Sequence, residues 1–340
     1  MKRYQGQPLP EGAKIAVISN DAIGNFVVAT PLIQMLRQAH PSCRITYLSG
    51  TRVAEFCDGN ALFEQWFPMH GTSPAKLTRD LQAESGTYAL VFNMEQTALA
   101  KFVTAALVSA VGFVCGPSLD AEGRKDLDYA DDRPGDLWRD KEWVSPDLCA
   151  KYSFLRTGFI CEIFARLAYL DGEVPRYSVP TEPPLVTLPD VLVAPSASLP
   201  EKLWPFEKWQ AALGWLKDRG LTCGILGAAP AIQQQYWKGQ NLESDLIEAG
   251  LAEDLRGKLT LPQVAGAVAM CRCVLTLDNG IMHLAAAGSR PVVGLFRYGI
   301  HRLWAPPVSN LTSIVCPEGQ TVGDIPVADV TAALEAALKS

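Results

Sequence analysis

The stretch Cys273–Phe296, CVLTLDNGIMHLAAAGSRPVVGLF, constrains this chain more than any other. Val274–Leu277 is a short apolar run with β-branched members, which predicts a buried strand. Asp278-Asn279-Gly280 interrupts it. Asp and Asn cap helices, and Gly lets a backbone come close to a ligand. Ile281–Ala287 then reads as a small-residue helix stopped by Gly288, and Pro291–Phe296 as a second buried strand. This order places a helix N-terminus at the C-terminal edge of a parallel sheet. Free N–H groups and the helix dipole there attract an anion, most often a phosphate. His283, one turn in, lies near the same spot. The plain alternative is an ordinary βαβ turn with a capping Asp and a core His.

The same alternation runs through the chain. Lys14–Ser19 reads as a strand, Asn20–Asn25 as a loop, and Phe26–Ala39 as a helix with Pro31 in an early turn. Arg44–Leu48, Gln65–Met69, Tyr88–Phe92 and Gly112–Cys115 read as strands, with helices over Pro74–Glu84 and Thr97–Ala110. Strands alternating with helices predict an α/β fold with parallel sheets. Pro117 to Pro146 is charged and poor in periodicity, either a binding loop or a solvated excursion. Tyr152–Leu170 has the spacing of a long helix.

Asp171–Asp190 carries five prolines and reads as a linker. Alternation then resumes with strands at Val191–Ala194, Cys223–Leu226 and Ser313–Cys316. Helices are predicted at Phe206–Arg219, Ala231–Gly239, Leu261–Met270 and Val327–Leu338. The expected organisation is a first domain over residues 1–171, a proline-rich linker over 172–190 and a second domain over 191–340. The last helix could pack back on the first domain or stay with the second.

Composition narrows the function classes. A chain of 340 residues with 48% hydrophobic content supports two cores. A net charge of −6 carries no general nucleic-acid footprint. The nine cysteines are scattered singly apart from Cys271 and Cys273, which lack the partner cluster a zinc site needs. No metal and no cofactor is expected. The N-terminal stretch lacks the apolar core of a signal peptide, and no apolar run reaches the roughly 18 residues of a membrane span. The expected location is cytoplasmic, with peripheral contact at the inner face of the membrane allowed.

Several motifs share one resemblance. Asp278, Gly280, His283, Leu284, Ala285 and Ala286, followed by Pro291–Phe296, resemble the D-[ST]-G-x-x-H-L-A-A and P-V-V-x-L-F motifs of glycosyltransferase family 9, the ADP-heptose:lipopolysaccharide heptosyltransferases. Asn279 stands where Ser or Thr is usual. Gly24, Thr30, Pro31, Leu36, Arg37, Pro41, Ile45 and Tyr47 are similar to the family's N-terminal motif. That segment lacks the G-x-G-x-x-G of a dinucleotide oxidoreductase. Lys202-Leu203-Trp204-Pro205 resembles its K-x-W-P motif, and Asp254-Leu255-Arg256-Gly257 the D-L-x-G turn.

The resemblance implies a GT-B architecture, two Rossmann-like domains with parallel sheets facing a central cleft. It implies an inverting sugar transfer from a nucleotide-diphosphate donor, an ADP-linked heptose or similar, to a saccharide or glycoconjugate acceptor, without a metal. Lys202, Ser196 and Ser198 would meet the phosphates, and Asp278, Asn279, Gly280, Ile281 and His283 would form the nucleotide-sugar turn. Where the family often continues with G-P-T, this chain has Arg297-Tyr298-Gly299-Ile300-His301-Arg302, either an anion-binding loop or an exposed turn. Besides Asn279, four positions that bear on chemistry depart from the pattern. The carboxylate that would take the acceptor proton is Asn25, and an amide cannot accept a proton at neutral pH. Asn25 can still orient the acceptor, and Asp21 in the same loop is the candidate displaced base. Ala89 and Asn93 replace two acids, with Glu95 just beyond as another candidate carboxylate. Ala229 replaces a ribose-binding Glu. Together these departures keep open a second class, a nucleotide-sugar-binding or scaffold protein without turnover.

Overall fold

Two parallel sheets organise the computed structural model, which describes residues 1–232 and 242–339. The chain divides into two units, Met1–Ser178 and Val179–Ser340, and the division falls within the proline-rich segment.

In the first unit the strands are β1 (Lys2–Arg3), β2 (Lys14–Ile18), β3 (Arg44–Gly50), β4 (Gln65–His70), β5 (Tyr88–Asn93) and β6 (Val108–Cys115). Their order is β1-β6-β5-β2-β3-β4, and every pairing is parallel. In the second they are β7 (Val191–Ala194), β8 (Cys223–Ile225), β9 (Glu253–Asp254), β10 (Cys273–Leu277), β11 (Val292–Phe296) and β12 (Leu311–Val315). Their order is β12-β11-β10-β7-β8-β9, again all parallel. The central strands β2, β7 and β10 are apolar and almost wholly buried because helices cover both faces of a parallel sheet.

Each sheet reverses its winding once, between β2 and β5 in the first unit and between β7 and β10 in the second. At such a point the loops leaving the two strands diverge and open a crevice beyond their C-terminal ends, where ligands bind in doubly wound folds.

Several expectations need correction. The helix after β2 runs from Ile23 to Ala39, so Asn25 lies in its first turn and Pro31 inside it. The long helix expected over Tyr152–Leu170 is reduced to Ile160–Leu167, with a separate short helix, Leu148–Lys151, before it. Between them Gly158 has φ +66, and the Glu162 carboxylate accepts the backbone N–H groups of Arg156 and Thr157 at 2.9 and 2.7 Å. Those amides are satisfied sideways, so helical periodicity across the break does not produce a helix. The charged excursion contains a helix, Arg133–Arg139, started by the Asp132 side chain on the Gly135 N–H. The terminal helix, Val327–Lys339, packs with Val330 and Leu334 in the core of its own unit, beside Trp209, Leu213, Leu275 and Val293. The helix expected at Ala231–Gly239 lies almost wholly outside the described residues.

Candidate functional site

Both winding reversals carry polar loops, and each is described within its own unit.

In the first unit the loop after β2 and the segment after β5 meet. Asn20 Oδ1 accepts the Ala22 N–H at 2.8 Å, which turns the chain into the helix. Gly50 at the end of β3 is required by this closeness, since a Cβ there would lie 2.1 Å from the Asp21 Cβ. Asn93, buried at the end of β5, accepts the Glu95 N–H at 2.8 Å and donates to the carbonyls of Glu95 at 3.0 Å and Pro117 at 2.8 Å. These bonds fix the backbone of Glu95. Its carboxylate lies within electrostatic reach of the Asn20 and Asn25 amides and of Asp21. Burial raises the Glu95 pKa, the amide donors oppose the rise, and the nearby Asp21 charge adds to it. Asp21 itself is partly exposed and lies 3.9 Å from Arg52. Asn25 thus lies beside Glu95, and Asp21 faces a guanidinium.

In the second unit the loop after β7 meets the turn after β10. The Lys202 ammonium lies 2.7 Å from the Asp278 carboxylate, and Asp278 is buried. Lys202 is positioned by an anchor two residues along the chain. Trp204 donates its indole N–H to the Ile325 carbonyl at 2.9 Å and meets Trp209 edge to face at 5.1 Å. Asn279 is the N-cap of the helix Gly280–Ala287, accepting from the N–H groups of Ile281 at 2.9 Å and Met282 at 3.2 Å. Its side-chain amide donates to the carbonyls of Ala194 at 3.2 Å and Ser196 at 2.9 Å, tying the two loops together. This corrects one expectation. The Ile281 amide is held by the cap and is not open to an anion, so Lys202 and the helix dipole are left to attract one.

His283 is buried against Trp304, with ring centroids 6.1 Å apart. Burial pushes its pKa down to about 4, with Asp278 pulling it up and Lys202 pushing it down. At neutral pH it is an uncharged hydrogen-bonding group. Ser198 is exposed, whereas the Ser196 hydroxyl donates to the buried Glu243. Glu243 also meets Arg256 at 3.3 Å, and Arg256 meets Asp254 at 2.8 Å. Sequence reasoning missed Glu243 because it comes from the separate helix Leu242–Glu248 at no fixed spacing from a motif. Arg256 was legible only as the variable position of the D-L-x-G turn. Gly257 packs that turn against Ala229, where a Cβ would lie 2.7 Å from the alanine Cβ. The Arg297 guanidinium meets Glu201 at 3.1 Å, while its buried Nε has no hydrogen-bond partner among the described residues.

No cluster of three or more His, Cys, Asp or Glu side chains among the described residues could hold a metal ion. No helix among them is long and apolar enough to cross a membrane.

Residues 174–323 match the family model described as glycosyltransferase family 9 (heptosyltransferase). Lipooligosaccharide heptosyltransferase 2 of Haemophilus influenzae is 31% identical over 117 residues, 34% of this chain and 33% of that protein. The match therefore spans about a third of that relative's length. Among solved structures, the ADP-heptose LPS heptosyltransferase II of Escherichia coli superposes with a TM-score of 0.70 at 18% identity, covering 96% of this chain and 98% of that one. A family 9 glycosyl transfer enzyme from Veillonella parvula gives 0.69 at 15% identity, covering 97% and 98%. At these identities the superpositions show a shared two-domain GT-B fold.

Proposed function

We propose that this chain, whose residues 174–323 match the glycosyltransferase family 9 model, transfers a sugar from a nucleotide-diphosphate donor to a hydroxyl of a saccharide or glycoconjugate. The donor is an ADP-linked heptose or a similar sugar, as the name of the E. coli structural relative suggests. The observation that carries the reading is the Lys202–Asp278 pair at the winding reversal of the second sheet, beside a capped helix N-terminus. A lysine ammonium there can meet a diphosphate as a point charge. It would stabilise the negative charge that develops as the nucleoside diphosphate departs. Attack of the acceptor oxygen opposite the leaving phosphate inverts the anomeric carbon. Asp278 and neutral His283 order the turn and can hold sugar hydroxyls. Ser196 supports the loop through Glu243, and exposed Ser198 is available to a phosphate oxygen. The loop carrying Asp21 and Asn25 takes the acceptor side, and contact with a membrane surface belongs to the same proposal if the acceptor is a lipid conjugate.

Asn25 and Ala229 favour a second reading, nucleotide-sugar binding without turnover. A panel of nucleotide sugars separates the two. Binding should be seen by calorimetry, and release of nucleoside diphosphate should accompany sugar transfer. Binding without release selects the second reading, and the absence of both overturns the first and the second.

A further inference from the structure

We propose that Glu95 is the catalytic carboxylate that takes the acceptor proton, in place of the acid missing at Asn25. This rests on the transferase reading above. Glu95 follows β5 and lies beside the loop after β2, so it stands at the winding reversal of the first sheet, where a ligand crevice forms. Its backbone is locked by both ends of the Asn93 amide. Its carboxylate lies beside the amides of Asn20 and Asn25 at the end of the paired strands β2 and β5. The amide at position 25 therefore stands beside a carboxylate and need not act as the base itself.

Asp21 suits the task less well, being partly exposed and facing Arg52. The proton affinity of Glu95 is raised by desolvation and by Asp21, with the phenol of Tyr47 also within electrostatic reach. A carboxylate raised in this way is a better base. In the step, the acceptor O–H proton passes to Glu95. The acceptor oxygen bonds to the anomeric carbon, the bond from that carbon to the phosphate oxygen breaks, and the nucleoside diphosphate leaves with the electron pair.

The test uses the full chain with ADP-heptose as donor and a heptose-deficient lipopolysaccharide as acceptor. Glu95→Gln should bind ADP as the wild type does and lose roughly 10²–10⁴-fold in transfer rate. In the wild type the rate should fall as pH drops through the raised Glu95 pKa, and the variant should lack that limb. Added formate should restore part of the rate of Glu95→Ala, which a purely structural role would not allow. A Glu95→Gln rate within about threefold of wild type, or an unchanged acid limb, overturns the proposal. So does a Glu95→Ala variant that folds and is not rescued. A larger loss in Asp21→Asn together with the missing limb returns the role to Asp21 and also overturns it. If the wild type transfers no sugar from any nucleotide sugar of the panel, the transferase reading fails and Glu95 falls with it. A working wild type with an unaffected Glu95 variant removes Glu95 alone.

Discussion

The two winding reversals are built from opposite chemistry on the same backbone plan. In the first unit a carboxylate, Glu95, lies near the neutral amides of Asn20 and Asn25. In the second a carboxylate, Asp278, is neutralised by an ammonium 2.7 Å away. The parallel sheet decides where the polar groups gather, and the residues on the diverging loops decide whether the place suits a proton or an anion. The two places also answer acid in opposite ways. Glu95 has a raised pKa, so its charged form costs stability once the pH rises through that value. His283 has a depressed pKa, so the unfolded chain binds the proton first and the second unit weakens as pH falls from the usual histidine range to about 4.

The largest effect expected from this contrast is in that acid range. Between about pH 6.5 and about pH 4 the wild type should lose about 3 kcal/mol more of unfolding free energy than His283→Gln. Chemical unfolding at a series of pH values measures it, and parallel curves would mean that His283 is not buried neutral. Next is the anion side of the comparison. Lys202→Ala should weaken ADP binding by about 1.5–3 kcal/mol, roughly ten- to a hundredfold. Calorimetry showing unchanged ADP affinity would remove Lys202 from the donor site. The smallest effect concerns how the second reversal is held together. Asn279→Ala loses a helix cap and two donated bonds, and should destabilise the second unit by about 1–2 kcal/mol. Denaturant titration monitored by tryptophan fluorescence reads this through Trp204 and Trp209, both in that core.

Much of the fold was legible in the residues. β7 and the helix Leu261–Met270 fall where the apolar runs place them, and β10 begins one residue earlier. These segments depend on local periodicity and on strong caps such as Thr260 with Gln263. The failures share a cause, which is a side chain acting on backbone or on residues distant in sequence. Glu162 stops a helix that its neighbours' spacing favours. Asn279 reads as a simple cap, yet its amide group also spans to β7 and its loop. Asn25 reads as a lost acid because its partner Glu95 lies 70 positions away in the chain, reached only when β2 and β5 pair. Glu243 and Arg256 meet through packing with no spacing to announce it.

The Lys202–Asp278 contact has a kinetic consequence under the proposed reaction. The lysine that would greet the diphosphate already has an anionic partner bound within the protein. Incoming phosphate must share that ammonium with a resident carboxylate, and departing product leaves it with one. A resident competitor of this kind limits how long the spent nucleotide stays, so the pair would act as a return spring for the site. Replacing the carboxylate by the isosteric amide, Asp278→Asn, should then slow ADP dissociation in a stopped-flow measurement, trading faster turnover for tighter product retention.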